Sequence, residues 1–219
     1  IGFVLFVALA MYFGEPFSQP RDLLFGALAG LLGMIGLLAL YRGLAENEMG
    51  ITAPLAAVVT AVIPIMVGFT LEGLPTTIQI AGFLVGLVAV WFLAGSSDDG
   101  GIRWSDLSLP VIAGVGFAMF LVFIDQVQDG AVFWPLAASR TASFLFIIAA
   151  TSLGFLSIRD EGNPATSKVW VLIVLSGLFD AGGNTFIVLA AQTGRLDITS
   201  ILSSMSVSYT HLRAHETSE

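Results

Sequence analysis

The sequence predicts an all-α integral membrane protein, an inverted repeat of two five-helix units that makes a ten-helix fold, cut short at both ends. Three observations predict it. First, of 219 residues 56% are hydrophobic and only 11% charged, with a mean hydropathy of +0.92, whereas a soluble domain carries about a quarter charged residues. Second, the apolar residues come in runs of membrane-crossing length. Third, ENEMGITAPLAAV (Glu46–Val58) is echoed by TGRLDITSILSSM (Thr193–Met205).

A helix needs roughly 20 apolar residues to cross the bilayer core. The first run, Ile1–Phe13, is apolar from its first residue, with no charged segment ahead of it. It reads as the remnant of a span, not as a signal peptide. Full spans follow at Leu23–Ala45, Ile51–Leu71, Thr76–Gly95, Leu109–Val127, Ala131–Ser157 and Val169–Ala191, and a further helix starts near Asp197. The linkers GEPFSQPRD, ENEMG, EGLP, SSDDGG, RDEGNPATS and QTGRLD are short and rich in turn formers. Short loops make neighbouring spans antiparallel. Their irregular backbone belongs outside the lipid core, which offers no hydrogen-bond partners. Trp91, Trp134 and Trp170 fall near span ends, as interfacial anchors do. Arg21 and Arg195 lie in one set of loops and Arg103, Arg159 and Lys168 in the other, so basic residues set no orientation.

The repeat aligns Ile51-Thr52 with Ile198-Thr199, an offset of 147 (198 minus 51). At that offset Gly30, Gly36 and Leu55 meet Gly177, Gly183 and Leu202. An odd number of spans separates the two helix starts, so the second copy enters the membrane from the opposite side. Inverted duplication is typical of secondary transporters, whose substrate site lies where the repeats meet. The expected organisation is a first unit over residues 1–95, a linker over 96–108 and a second unit over 109–206. The first span, part of the second, most of the ninth and all of the tenth are expected to be missing.

Composition excludes several functions. The absence of Cys excludes a disulfide framework, thiol catalysis and thiolate metal sites. A net charge of -8 without a polybasic stretch argues against nucleic-acid binding. Residues 1–206 hold no His, no clustered carboxylates and no nucleophile elbow, which argues against a membrane enzyme. A structural or assembly protein is the other alternative to transport, but such a protein needs no polar groups in mid-span.

Such groups are present. Ionisable residues inside a span are expensive and mark function by default. Arg140 sits in the span Ala131–Ser157. Asp180 sits in the middle of Val169–Ala191, and Asn184, four residues on, shares its helical face. These three are the candidates for lining a substrate cavity; the competing reading is a structural Arg–Asp pair. Arg42 and Asp125, near span ends, read as cavity residues or as side chains reaching the interface. Glu72 reads as a solvated loop carboxylate. Pro54 and Pro64 lie in one span, and Pro64 removes a mid-helix backbone bond, so both are candidates for gating or kinking. Gly26, Gly30, Gly33 and Gly36 fall within about 120° of one helical face, and Gly82 and Gly86 repeat the small-xxx-small spacing. All six read as helix-packing positions.

The stretch ALYRGLAENEMGITAPLAAVVTAVIPIMVGF followed by TLEGLPTTIQIAGFLVGLVAVWFLAG resembles the first half of an EamA-type carrier of the drug/metabolite transporter superfamily. The pattern falls on Ala39 and Gly43, Thr52, Pro54 and Pro64, Glu72, Gly82 and Gly86. GLFDAGGNTFIVLAAQTGRLDITSILSSM resembles the matching part of the second half. The resemblance spans Ile1–Met205. It implies a ten-helix carrier with two inverted EamA repeats in the inner membrane of a prokaryote, moving small metabolites or drugs. It brings no shared catalytic constellation and no cofactor. The partners expected are the lipid bilayer and a small-molecule substrate, with a coupling proton and a homodimeric second copy admitted, and no nucleic acid.

The last thirteen residues, 207–219, break the pattern. VSYTHLRAHET (Val207–Thr217) is similar to a translation of the mosaic-end adapter of transposase-based sequencing libraries, and is expected to be read-through. The chemical alternative puts His211 and His215 on one helical face with Glu216 as a third metal ligand. Read as adapter, the tail carries no metal site, and a chain ending there is expected not to transport.

Overall fold

The structure, a computed structural model, describes residues 1–46, 49–71, 104–155 and 167–193, with isolated helical positions between 77 and 88. Among the described residues the chain is helical, with turns and no strand. The helices are α1 (Gly2–Tyr12), α2 (Pro20–Glu46), α3 (Met49–Leu71), α4 (Trp104–Asp125), α5 (Phe133–Ser152) and α6 (Ser167–Thr193). Four described segments are long and apolar enough to cross a membrane: Pro20–Glu46, Leu107–Asp125, Phe133–Ser152 and Val169–Gln192. Gly2–Tyr12 and Thr52–Gly68 are shorter apolar stretches. Most of the span Thr76–Gly95, with Glu72, Gly86 and Trp91, lies outside the described residues. So do Arg103, Arg159, Arg195, the second copy of the repeat beyond Thr193, and the tail with His211, His215 and Glu216.

Two helix boundaries differ from the hydropathy reading. Helix α4 begins at Trp104, five residues before Leu109, because a helix can start in a polar turn that lipid would reject; Pro110 then sits inside it. Helix α5 stops at Ser152, short of Ser157. Gly154 adopts φ +75° there, while the N–H groups of Gly154 and Phe155 bond to Thr151 O at 3.1 Å and Ala150 O at 2.9 Å. That is a glycine-terminated Schellman closure, which hydropathy cannot register. Helix α1 ends the same way, with Gly14 at φ +65° and Glu15 N–H bonded to Ala10 O at 2.9 Å.

The chain divides into two packed units. One joins Ile1–Leu31 to Phe123–Thr193; the other holds the described residues between Leu32 and Val122. These units cut across the linear halves 1–95 and 109–206. A repeat boundary concerns sequence order and a packed unit concerns contacts, so the two divisions answer different questions.

In the first unit α1 packs against α5 and α6, and the opening turns of α2 lie on α5. A Cβ at Gly26 or Gly30 would collide with the carbonyls of Pro135 and Ser139. The two backbones touch only because glycine stands there. Ser143 Oγ donates to Gly30 O at 2.8 Å and crosses the same seam. In the second unit Ala39, Leu40, Ala56 and Ala113 form a buried core, with Leu44, Leu109 and Phe117 packed around it. Gly36 faces Ala113 and Gly116 of α4, and Gly33 faces the Phe120 ring. Thr60 Oγ1 lies 2.8 Å from Ala56 O and 3.3 Å from Gly114 O, joining α3 to α4. A Cβ at Gly82 would meet no described atom within 4 Å.

Candidate functional site

Helices α1, α5 and α6 of the first unit bring three of the sequence candidates together. Arg140 projects from α5, and its Nη2 forms an ion pair with Oδ2 of Asp180 on α6. The Arg140 guanidinium lies over the Phe6 ring of α1, 5.9 Å from its centroid, within the range of a cation–π contact. Its aliphatic stem runs beside Gly2, where a Cβ would stand 3.4 Å from Cδ and Nε. Asn184, one turn beyond Asp180, donates from Nδ2 to Asp180 Oδ1 at 3.1 Å and to Asp180 O at 2.9 Å. Each carboxylate oxygen thus has its own donor, one charged and one neutral.

The surroundings of the pair are unequal. The Arg140 side chain is 26% exposed and that of Asp180 is 55% exposed. Both lie inside helices of membrane-crossing length, Arg140 seven residues after Phe133 and Asp180 thirteen after Ser167. Beyond Asp180, the remaining N–H groups of Arg140 have no hydrogen-bond acceptor among the described residues. Chemically, this is a cation with spare donors, held by an anion that is half open to the outside.

The other candidates lie elsewhere. Pro54 and Pro64 are both inside α3, and Pro64 is fully buried. Arg42 bonds to Glu46 one turn away at 2.7 Å, with 70% of its side chain exposed. Asp125 ends α4, and Gln126 Nε2 lies 3.5 Å from its Oδ2. Among the described residues no three His, Asp or Glu side chains converge as a metal site would require. A separate apolar groove of about 400 Å³ opens between α1, α2 and α5, lined by Phe3, Ala27, Trp134, Ala138, Thr141 and Leu145. At 100° per residue these α5 positions face away from Arg140.

One polar feature is absent from the sequence reading. The Glu15 carboxylate accepts the backbone N–H groups of Val132, Phe133 and Trp134 at 2.9–3.2 Å, and Glu15 O accepts Trp134 Nε1–H at 3.2 Å. Helix α5 has Val132 at its N-cap and no side-chain cap of its own. Pro135 has no N–H, and Leu136 N–H already bonds to Val132 O. Glu15 therefore satisfies the free donors of the first turn, and its charge suits the positive end of the helix dipole. The missing Ser, Thr, Asp or Asn before Phe133 was the available signal. Nearby, buried Asp22 accepts Gln128 N–H at 3.3 Å, and Gln192 bonds to Gly130, Gln128 and Ala131. The loop between α4 and α5 is thus held from α2, from α6 and from the α1–α2 turn.

Comparison with protein-family models, with curated proteins and with solved structures finds no match to this chain.

Proposed function

We propose that the chain is a secondary transporter that moves small polar metabolites or drugs across a prokaryotic inner membrane by alternating access. The Arg140–Asp180 pair carries this reading. A charged side chain at the bilayer centre costs roughly 2.5–3.5 kcal/mol on insertion scales, and more by other estimates. A carboxylate in mid-helix, open over 55% of its surface, cannot economically face hydrocarbon. It belongs in a wet crevice or under a polar partner. A crevice with charged walls between membrane helices is what a carrier of polar solutes needs.

The ten-helix inverted repeat of the EamA type is the architecture that fits the Ile-Thr echo and the ordered motifs from Ala39 to Gly86. In it Pro54 and Pro64 serve as the points where α3 bends between outward- and inward-open states. The competing reading is a structural clamp, in which Arg140 simply ties α1 to α6. The full-length protein would be reconstituted in proteoliposomes loaded with a mixed metabolite pool. Efflux is followed by mass spectrometry. Specific flux is expected in protein-containing vesicles and is abolished by Arg140→Ala or Asp180→Ala while membrane insertion persists. Undiminished flux in both variants would remove the site assignment, and absence of flux for every solute would remove the transport reading.

A further inference from the structure

Resting on that transport reading, we infer that the Arg140–Asp180 site takes an organic or inorganic anion and couples its passage to one proton. In alternating access the loaded site closes from water on both sides before it reopens, so a net charge there must be balanced. Empty, the site holds one guanidinium and one carboxylate and is neutral. An anion arriving at Arg140 while Asp180 stays ionised leaves a net negative charge among membrane helices. A proton arriving at Asp180 without an anion leaves a net positive one. Both states are costly once the site is closed from water. When one proton and one monovalent anion arrive together, the site is neutral again. The carboxylate becomes a carboxylic acid, its ion pair with Arg140 is released, and the guanidinium pairs with the substrate instead.

The geometry provides for that exchange. Arg140 is pinned from behind by Phe6 at 5.9 Å and by the close approach of Gly2, so its position does not depend on Asp180 alone. Its planar fork has donors beyond the one used, and such a fork matches carboxylate and phosphate oxygens in pairs. Asp180 is the more exposed partner and is the one a proton reaches from outside. Asn184 holds Oδ1 at 3.1 Å, and its amide can turn to accept from the acid form. Among the described residues, few other ionisable groups belong to the helices packed on the pair. Helix α1 has only Tyr12, at its far end. Helix α5 has only Arg140. Helix α6 has Lys168 in its first turn, with its side chain outside the described residues, and Ile1, which bears the terminal amino group, sets its side chain beside Gly177.

The test uses proteoliposomes and radiolabelled gluconate, succinate, glutamate and phosphate as anions, with glucose and ethidium as neutral and cationic probes. An imposed pH gradient should drive uptake of at least one anion, up to about tenfold accumulation per pH unit at one-to-one coupling. For a monovalent anion, clamping the membrane potential should not change it. Asp180→Asn should keep exchange of that anion across the membrane but lose its dependence on the pH gradient. Arg140→Gln should lose both. The double variant restores neutrality and, checked for folding by size exclusion, should insert normally yet stay inert; recovered flux there would mark the pair as a structural clamp. The inference is overturned if Asp180→Asn keeps the gradient dependence or if anion exchange survives Arg140→Gln. It is also overturned if only glucose or ethidium moves, a result that leaves transport itself standing. No flux of any probe would sink both readings together.

Discussion

At the scale of single residues, the seam between α2 and α5 rests on the absence of two side chains. Gly26 and Gly30 sit so close to the Pro135 and Ser139 carbonyls that a methyl group has no room. Lipid gives helices no hydrophobic reason to associate, so close backbone packing and bonds such as Ser143 to Gly30 O are what hold them. Gly30→Ala is therefore expected to push the helices apart at a cost of about 1–3 kcal/mol. Gly182, with open space around it, is the matched control. Gly182→Ala should leave stability unchanged or raise it by up to about 1 kcal/mol through helix propensity. Thermal unfolding in detergent reads the contrast; equal midpoints for the two variants would contradict this packing.

At the scale of elements, α5 depends on another segment for its start. Its sequence opens Val132-Phe133-Trp134-Pro135 and offers no capping side chain. Gly14 ends α1 in a left-handed turn, which fixes Glu15 where its carboxylate meets those free N–H groups. Replacing a cap by alanine costs about 0.5–2 kcal/mol, and Glu15→Ala should fall in that range. Glu15→Gln keeps an acceptor but loses the charge, so a smaller loss is expected. Hydrogen exchange at Phe133 and Trp134 is the specific readout. Protection unchanged in Glu15→Ala would show that the cap contributes nothing.

At the scale of the whole molecule, the surface is the informative feature. Helix α6 exposes Trp170, Leu172, Phe179 and Phe186, and only 11% of its most apolar window is buried. Water would penalise that surface heavily, whereas lipid accepts it. The protein should therefore stay in the membrane pellet after alkaline carbonate washing and leave it only with detergent. Release by carbonate alone would be incompatible with helices that cross the bilayer.

The sequence by itself determined where the helices lie and which residues are out of place in them. Hydropathy located α1, α2, α3 and α6 to within a few residues, because in lipid each helix must satisfy its own backbone and so is legible locally. Cost alone singled out Arg140 and Asp180. Only the tertiary structure decided that these two, on different helices, face each other under Phe6. It alone divided one glycine stripe between two neighbours, Gly26 and Gly30 against α5, Gly33 and Gly36 against α4. It alone joined Glu15 to a helix that begins more than a hundred residues later. Apolar character is a property of each residue and adds along the chain. Partnership depends on which faces meet, and neither backbone angles such as that of Gly154 nor distant contacts leave a mark in a hydropathy pattern.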